Sequence, residues 1–237
     1  MRTAGRSLAA FVVGAALVLQ LVSPAGADLV TQSLVYVDPA SGAQTDSGWS
    51  ATYNNSQVDT IGVDQVNLTD GYVLIQIRKT FTLGPSPVTG QFPAILIDFV
   101  ERLPGATVDT IRVNDEILRN ETGVPWTDFH WQVMNHGEAW FDVPASGSFG
   151  LGQQFQSRTP PVGGPPATST ALDVFDGLVP DLGVYTPGLD DGDLVIRTNL
   201  SGQEPVSFTF KEYPTPEPAT LLLLGFGLLG IFARRNR

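Results

Sequence analysis

The sequence predicts an all-β ectodomain, a single antiparallel β-sandwich or jelly roll, flanked by a signal peptide and a C-terminal transmembrane helix. Three observations lead there. Many short β-rich apolar runs are set apart by Gly, Pro, Asn and Asp. Between residues 28 and 213 no stretch keeps the 3.6-residue period of an amphipathic helix over a useful length. Both ends carry apolar segments flanked by arginine.

Residues 1–27 begin with Arg2 and Arg6, continue through an apolar run from Leu8 to Val22, and close on Ser23-Pro24-Ala25-Gly26-Ala27. That order is a secretory signal peptide, with Ala25 and Ala27 forming the small-x-small site that signal peptidase cuts. The apolar run falls short of the roughly 20 residues that span a bilayer, which favours a cleaved signal over a lasting anchor. Because Arg2 and Arg6 are not adjacent, the route is general secretion and not the twin-arginine one.

Residues 72–83 alternate: Val73, Ile75, Ile77, Phe81 and Leu83 share one face, while Gln76, Arg78 and Thr80 share the other. Lys79 interrupts the apolar face and is therefore placed near a sheet edge. Residues 94–103 are apolar on both faces, as in a strand deep inside a sandwich. Further strands are expected at 29–37, 58–66, 107–118, 126–134, 138–143, 194–200 and 206–210. Residues 157–170, rich in Pro, Gly, Ser and Thr, read as a long exposed loop. The segment 171–213 is too small for a core of its own, so residues 28–213 form one domain.

The ectodomain is strongly acidic. Five of the thirteen basic residues lie in the end segments, and all twenty-four acidic residues lie between Asp28 and Glu217. Residues 28–218 therefore carry 8 basic against 24 acidic side chains, a net charge of -16. A surface this negative repels phosphate and anionic lipid, which excludes nucleic acid as a partner and favours divalent cations or neutral glycans. With no cysteine there is no disulfide framework, thiolate metal site or cysteine nucleophile.

Four constellations are weighed as sites. Asp190, Asp191 and Asp193 surround Gly192 and offer the hard oxygen ligands calcium prefers, against the plainer reading of an Asp-Gly turn. No other cofactor is expected. His130, His136 and Glu138 lack the His-Glu-x-x-His spacing of a zinc site, and His130 reads as a hydrogen-bonded structural residue. Trp126, Asp128 and His130 fall on one strand face, opposite Phe129 and Trp131, and form the candidate glycan contact. Asp128, Glu138 and Asp142 are carboxylates a glycosidase would need, but no nucleophile elbow, Walker A or dinucleotide fingerprint accompanies them, and no catalytic residue is assigned. Four Asn-x-Ser/Thr matches, at Asn54-Asn55-Ser56, Asn67, Asn120 and Asn199, read as turn residues.

The chain ends Tyr213-Pro-Thr-Pro216-Glu217-Pro218, then an uncharged leucine-rich run at 219–233 with Gly225, Gly227 and Gly230, then Arg234-Arg235-Asn236-Arg237. The prolines are expected to hold an extended, accessible linker. The apolar run partitions into lipid as a helix, and the arginines stay on the cytoplasmic side. At 15 residues it covers only ~22 Å of a ~30 Å hydrocarbon core, which suits a segment held briefly and then removed. This order resembles the PEP-CTERM sorting signal, with Pro216, Glu217, Pro218, Arg234 and Arg235 at the matching positions. The resemblance implies an exosortase as processing partner, an inner-membrane intermediate, and a setting of bacteria that make exopolysaccharide. It implies a route to the cell surface or beyond and no activity, because ectodomains in that family are diverse.

The expectation is therefore an exported, non-enzymatic surface or matrix protein, structural or adhesive and associated with exopolysaccharide. The alternative is a secreted carbohydrate-active hydrolase using paired carboxylates.

Overall fold

The computed structural model describes residues 28–134, 137–152, 154–201 and 205–216. The signal peptide with Ala25 and Ala27, the 219–233 helix, His136, Glu217, Pro218, Arg234 and Arg235 all lie outside the described residues. Among the described residues there are strands β1 (Leu29–Val37), β2 (Gln44–Asn54), β3 (Val58–Asn67), β4 (Tyr72–Phe81), β5 (Ile95–Glu101), β6 (Thr110–Asn120) and β7 (Trp126–Met134). They continue with β8 (Ala139–Asp142), β9 (Ser157–Thr159), β10 (Thr168–Ser169), β11 (Ala171–Phe175), β12 (Val184–Tyr185), β13 (Leu194–Thr198) and β14 (Ser207–Pro216). None of the described residues is helical.

The strands form two sheets. The first runs β1-β2-β5-β14-β7-β11-β9, and the second runs β10-β8-β13-β6-β4-β3 with β12 on the far end of β6. Every pairing is antiparallel except β4 with β6. The sheets enclose one core that includes Trp49, Ile75, Ile77, Ile97, Phe99, Phe129, Trp131, Phe141, Leu172, Ile196 and Phe210. This is the all-β sandwich the sequence predicts, and among the described residues neither sheet closes into a barrel. Alternation explains it: in β5, and in β7 from Phe129 onward, every second side chain turns inward, and large aliphatic or aromatic side chains buried this way stabilise by roughly 1.5–3 kcal/mol each.

Three local expectations are corrected. The 94–103 strand is not apolar-buried on both faces: Leu96 and Val100 of β5 are exposed on the outer face of the first sheet, over which none of the described elements packs. Lys79 is not at an edge: β4 lies between β3 and β6, and its ammonium is fully buried. Residues 157–170 are not wholly loop. Their ends form β9 and β10, which extend opposite sheets, and the Arg158 side chain is buried with Nη1 donating to Phe149 O at 3.2 Å.

β2 alternates only over Trp49, Ala51 and Tyr53, and its first half of Gln, Thr, Asp, Ser and Gly carries no apolar pattern, so the strand escapes the sequence reading. Its small buried residues let the backbone come close: Ser47 Oγ donates to Leu34 O at 2.7 Å, and Gly48 sits at φ +85° against Thr107. A side chain at residue 48 would meet Thr107, which is why only glycine fits there.

Candidate functional site

The outer face of the first sheet is the surface the candidate glycan residues point to. Register fixes its neighbours: Asp128 lies opposite Thr215, His130 opposite Tyr213, Gln132 opposite Lys211 and Met134 opposite Thr209. On the other side of β14, Lys211 faces Leu96 and Thr209 faces Asp98. His130 and Tyr213 stack with ring centroids 4.7 Å apart, and the Lys211 ammonium lies 4.6 Å from the Tyr213 ring centre. Asp173 on β11 holds His130 Nδ1 at 2.6 Å, and Thr215 Oγ1 donates to Asp128 at 3.0 Å. Burial, with the Asp173 charge as a smaller cause, raises the Tyr213 phenol above its ordinary pKa, so it stays a neutral hydroxyl. A shallow depression of about 350 Å³ lined by Asp98, Val100, Met134, Ser207 and Thr209 continues the face.

Trp126 does not belong to this surface. It is fully buried and packs edge-on against Phe81 at 5.1 Å. The cause is a β-bulge: Thr215 pairs with Asp128 and the next residue, Pro216, with Trp126, leaving Thr127 as an extra residue on β7. One inserted residue reverses the facing of everything before it, so strict alternation assigned Trp126 to the wrong side. Asp128 and His130 are on the outer face as expected. Trp49 and Trp131 are core residues.

The Asp190–Asp193 turn divides its carboxylates. Asp191 Oδ1 accepts from Gly188 N at 2.6 Å and Oδ2 from Gly150 N at 2.9 Å, so the side chain ties two loops together. Burial raises its pKa, and those backbone donors work in the opposite direction. Asp193 lies 3.7 Å from Arg112, and Asp190 is exposed. Among the described residues no three His, Cys, Asp or Glu side chains converge on one point where a metal would sit.

The carboxylates of the hydrolase reading are dispersed. Asp128 is on the outer face of the first sheet. Asp142, in the second sheet, binds Arg197 at 3.2 Å and caps Ala145 N at 3.1 Å. Glu138 Oε2 accepts from Ser207 N at 3.4 Å.

A constellation that the sequence pattern did not single out lies between the sheets. Lys79 of β4 contacts both Glu116 of β6 and Glu212 of β14, and all three side chains are fully buried. The Trp131 indole N–H donates to Glu116 Oε2 at 2.9 Å, and the Lys79 ammonium lies 5.2 Å from the Phe210 ring centre. Glu212 Oε1 is buried with no hydrogen-bond partner among the described residues. Burial, and next the adjacent Glu116 charge, push the Glu212 carboxyl well above the usual range, with Lys79 opposing. The signal was present in the chain: Lys79 shares parity with Ile75 and Ile77, and Glu212 with Phe208 and Phe210, so opposite charges fall on core positions of separate strands.

β14 runs on to Pro216, so the sheet extends past residue 213 and Pro214-Thr215-Pro216 is not an extended linker. Beyond Glu212 the register with β5 has ended while that with β7 continues. The side of β14 away from β7 is then an open edge, where proline is tolerated in a sheet.

Against known families, residues 214–237 match the PEP-CTERM protein-sorting motif. No curated protein and no solved structure matches the chain.

Proposed function

We propose that this chain, an exported protein carrying the PEP-CTERM protein-sorting motif for exosortase processing, is a non-enzymatic structural or adhesive module of the cell surface or extracellular matrix, associated there with exopolysaccharide. The observation that carries the adhesive reading is the outer face of the first sheet. Tyr213, His130 and Lys211 form a stacked group beside Asp128, Gln132, Thr209 and Asp98, with exposed Leu96, Val100 and Met134 next to them. Apolar surface interleaved with hydrogen-bonding groups suits the faces and hydroxyls of pyranoses. β14 supplies the centre of that face and leads directly into the sorting motif, which turns the face into a feature of whatever anchoring the tail directs.

Binding of the purified protein to polysaccharide from its own producer tests this, with calcium measured alongside by calorimetry. Tyr213→Ala is expected to weaken polysaccharide binding at least several-fold while leaving the fold intact. Failure to bind either polysaccharide or calcium removes the adhesive reading and leaves a purely structural one. A hydrolase reading would need two carboxylates across a groove; Asp128 lies in the first sheet and Asp142 in the second, engaged by Arg197, which favours the non-enzymatic alternative.

A further inference from the structure

The Lys79, Glu116 and Glu212 group combines three features that a plain ion pair does not need. It bridges the two sheets, it is fully buried, and it places one amine against two carboxyls. A lone buried pair can be neutral overall; here two acids compete for one ammonium, and Glu212 has a carboxyl oxygen with no partner among the described residues. Burying such charges costs more than their mutual attraction returns unless every lone pair is satisfied. A covalent step removes that cost.

We infer that Lys79 and Glu212 are the partners of an intramolecular isopeptide bond, formed by condensation of the Lys79 amine with the Glu212 side-chain carboxyl, with Glu116 acting as the proton acceptor and donor. This goes beyond the sorting reading and does not depend on it.

The chemistry balances within the three side chains. The starting state is ammonium Lys79, carboxylate Glu116 and neutral carboxylic acid Glu212. Glu116 is the acid best fitted to be ionised, since Trp131 Nε1 donates to its Oε2 at 2.9 Å and Lys79 meets its Oε1. Glu212, with Oε1 unpartnered, is best fitted to be the neutral electrophile, and its raised pKa agrees. Lys79 passes one proton to Glu116. The freed nitrogen lone pair attacks Glu212 Cδ, forming the C–N bond and a tetrahedral centre. Glu116 returns its proton to the departing oxygen, the C–O bond breaks, and water leaves. The nitrogen then gives a second proton to Glu116. The products are one neutral amide, one neutral Glu116 carboxylic acid and one water, so no charge remains in the core. Fixing amine and carbon together supplies the proximity that ordinary amide condensation in water lacks, and a core walled by Phe210 and Trp131 keeps water from reversing the bond.

The bond would join β4 of the second sheet to β14 of the first in a chain without cysteine. It is a cross-link of the kind disulfides provide elsewhere, closing a loop from residue 79 to residue 212.

Mass spectrometry on the full chain, purified from membranes and fully denatured, tests this. The expected result is an intact mass lower by one water than that of the linear chain with the same ends, and a branched peptide joining the Lys79 and Glu212 segments after proteolysis. Lys79→Arg and Glu116→Gln variants, shown folded by circular dichroism, are expected to give the linear mass and no branched peptide. A folded wild-type chain with the linear mass overturns the proposal, as does a lost water mapped to a cyclised Asp-Gly step. A branch at Glu116 overturns the assignment of roles, and a branched peptide persisting in Glu116→Gln overturns the proton-transfer step.

Discussion

Replacing Asn120 by alanine tests how much of this sandwich rests on buried polar contacts and not on apolar packing alone. Asn120, fully buried at the end of β6, donates from Nδ2 to Val124 O at 2.9 Å, Val179 O at 3.2 Å and Pro180 O at 3.0 Å. Its Oδ1 accepts from Thr122 N at 3.1 Å and Thr122 Oγ1 at 2.7 Å. After substitution the three carbonyls each keep another donor: Thr122 Oγ1 for Val124, Trp126 N for Val179 and Gly183 N for Pro180. The buried Thr122 N–H loses its Asn120 acceptor. The amide has two hydrogens to share among its three carbonyls and Thr122 Oγ1 still has Val124 O to donate to, so two lost hydrogen bonds at about 1–1.5 kcal/mol each and the stranded Thr122 donor at about 1–2 kcal/mol give a loss of roughly 3–5 kcal/mol. For a domain of this size that lowers the melting midpoint by about 6–20 °C. Urea unfolding should show a lower midpoint with an unchanged slope, since the surface exposed on unfolding is the same. Asn120→Asp should cost at least as much at neutral pH, because it sets an acceptor-only carboxylate against three carbonyls. A loss below about 1 kcal/mol for alanine, or an aspartate that is tolerated, would show that these buried contacts do not hold the end of β6.

Two further substitutions probe the packing of β2 and the loops around Asp191. Gly48→Ala should cost about 3 kcal/mol or more in urea unfolding, because the new Cβ would fall 2.3 Å from Thr107 Oγ1 and 2.6 Å from Thr107 Cα at a φ of +85°. A backbone atom cannot rotate away, so a neutral result would mean β2 does not pack as described. Asp191 gives a pH dependence: burial raises its folded pKa above the unfolded value, so above the ordinary aspartate range the folded chain holds more protons than the unfolded one. Its contribution is fully present below the unfolded pKa and declines as pH rises through the folded pKa. Asp191→Asn should flatten that part of the stability profile while weakening one of the two loop contacts, and an unchanged slope would contradict the assignment.

Much of the sandwich was legible because hydrophobic alternation is written residue by residue. Strands such as β1 and β7 have the limits their patterns predict, since one face had to turn inward. What stayed hidden depends on events alternation does not encode. The bulge at Thr127 turned Trp126 into the core and left Asp128 and His130 outside, so the expected surface survived with different members. The partners that complete that surface, Tyr213, Lys211 and Asp173, come from strands far away along the chain and meet His130 and Gln132 only through sheet register. β2 hid behind small polar residues whose buried hydroxyls bond to backbone carbonyls. Lys79 looked like an edge residue because a single sequence does not reveal the two carboxylates that meet it from β6 and β14. The Asn-x-Ser/Thr matches do act as turn residues: the side-chain oxygens of Asn67, Asn120 and Asn199 accept from backbone N–H groups two residues on.

The extension of β14 to Pro216 bears on how an exported chain would be processed at its sorting motif. The first proline of Pro216-Glu217-Pro218 is already part of the sheet, so cutting near it would release the sandwich with almost no tail. Intact-mass spectrometry of the protein from its native cells, comparing membrane and released fractions, decides whether that cut is made. The expected outcome is a released species beginning at Asp28 and ending between Pro216 and Pro218, with any added mass marking an attached group. Recovery only of membrane-bound chain still carrying Arg237 would contradict exosortase processing and make the tail a permanent anchor.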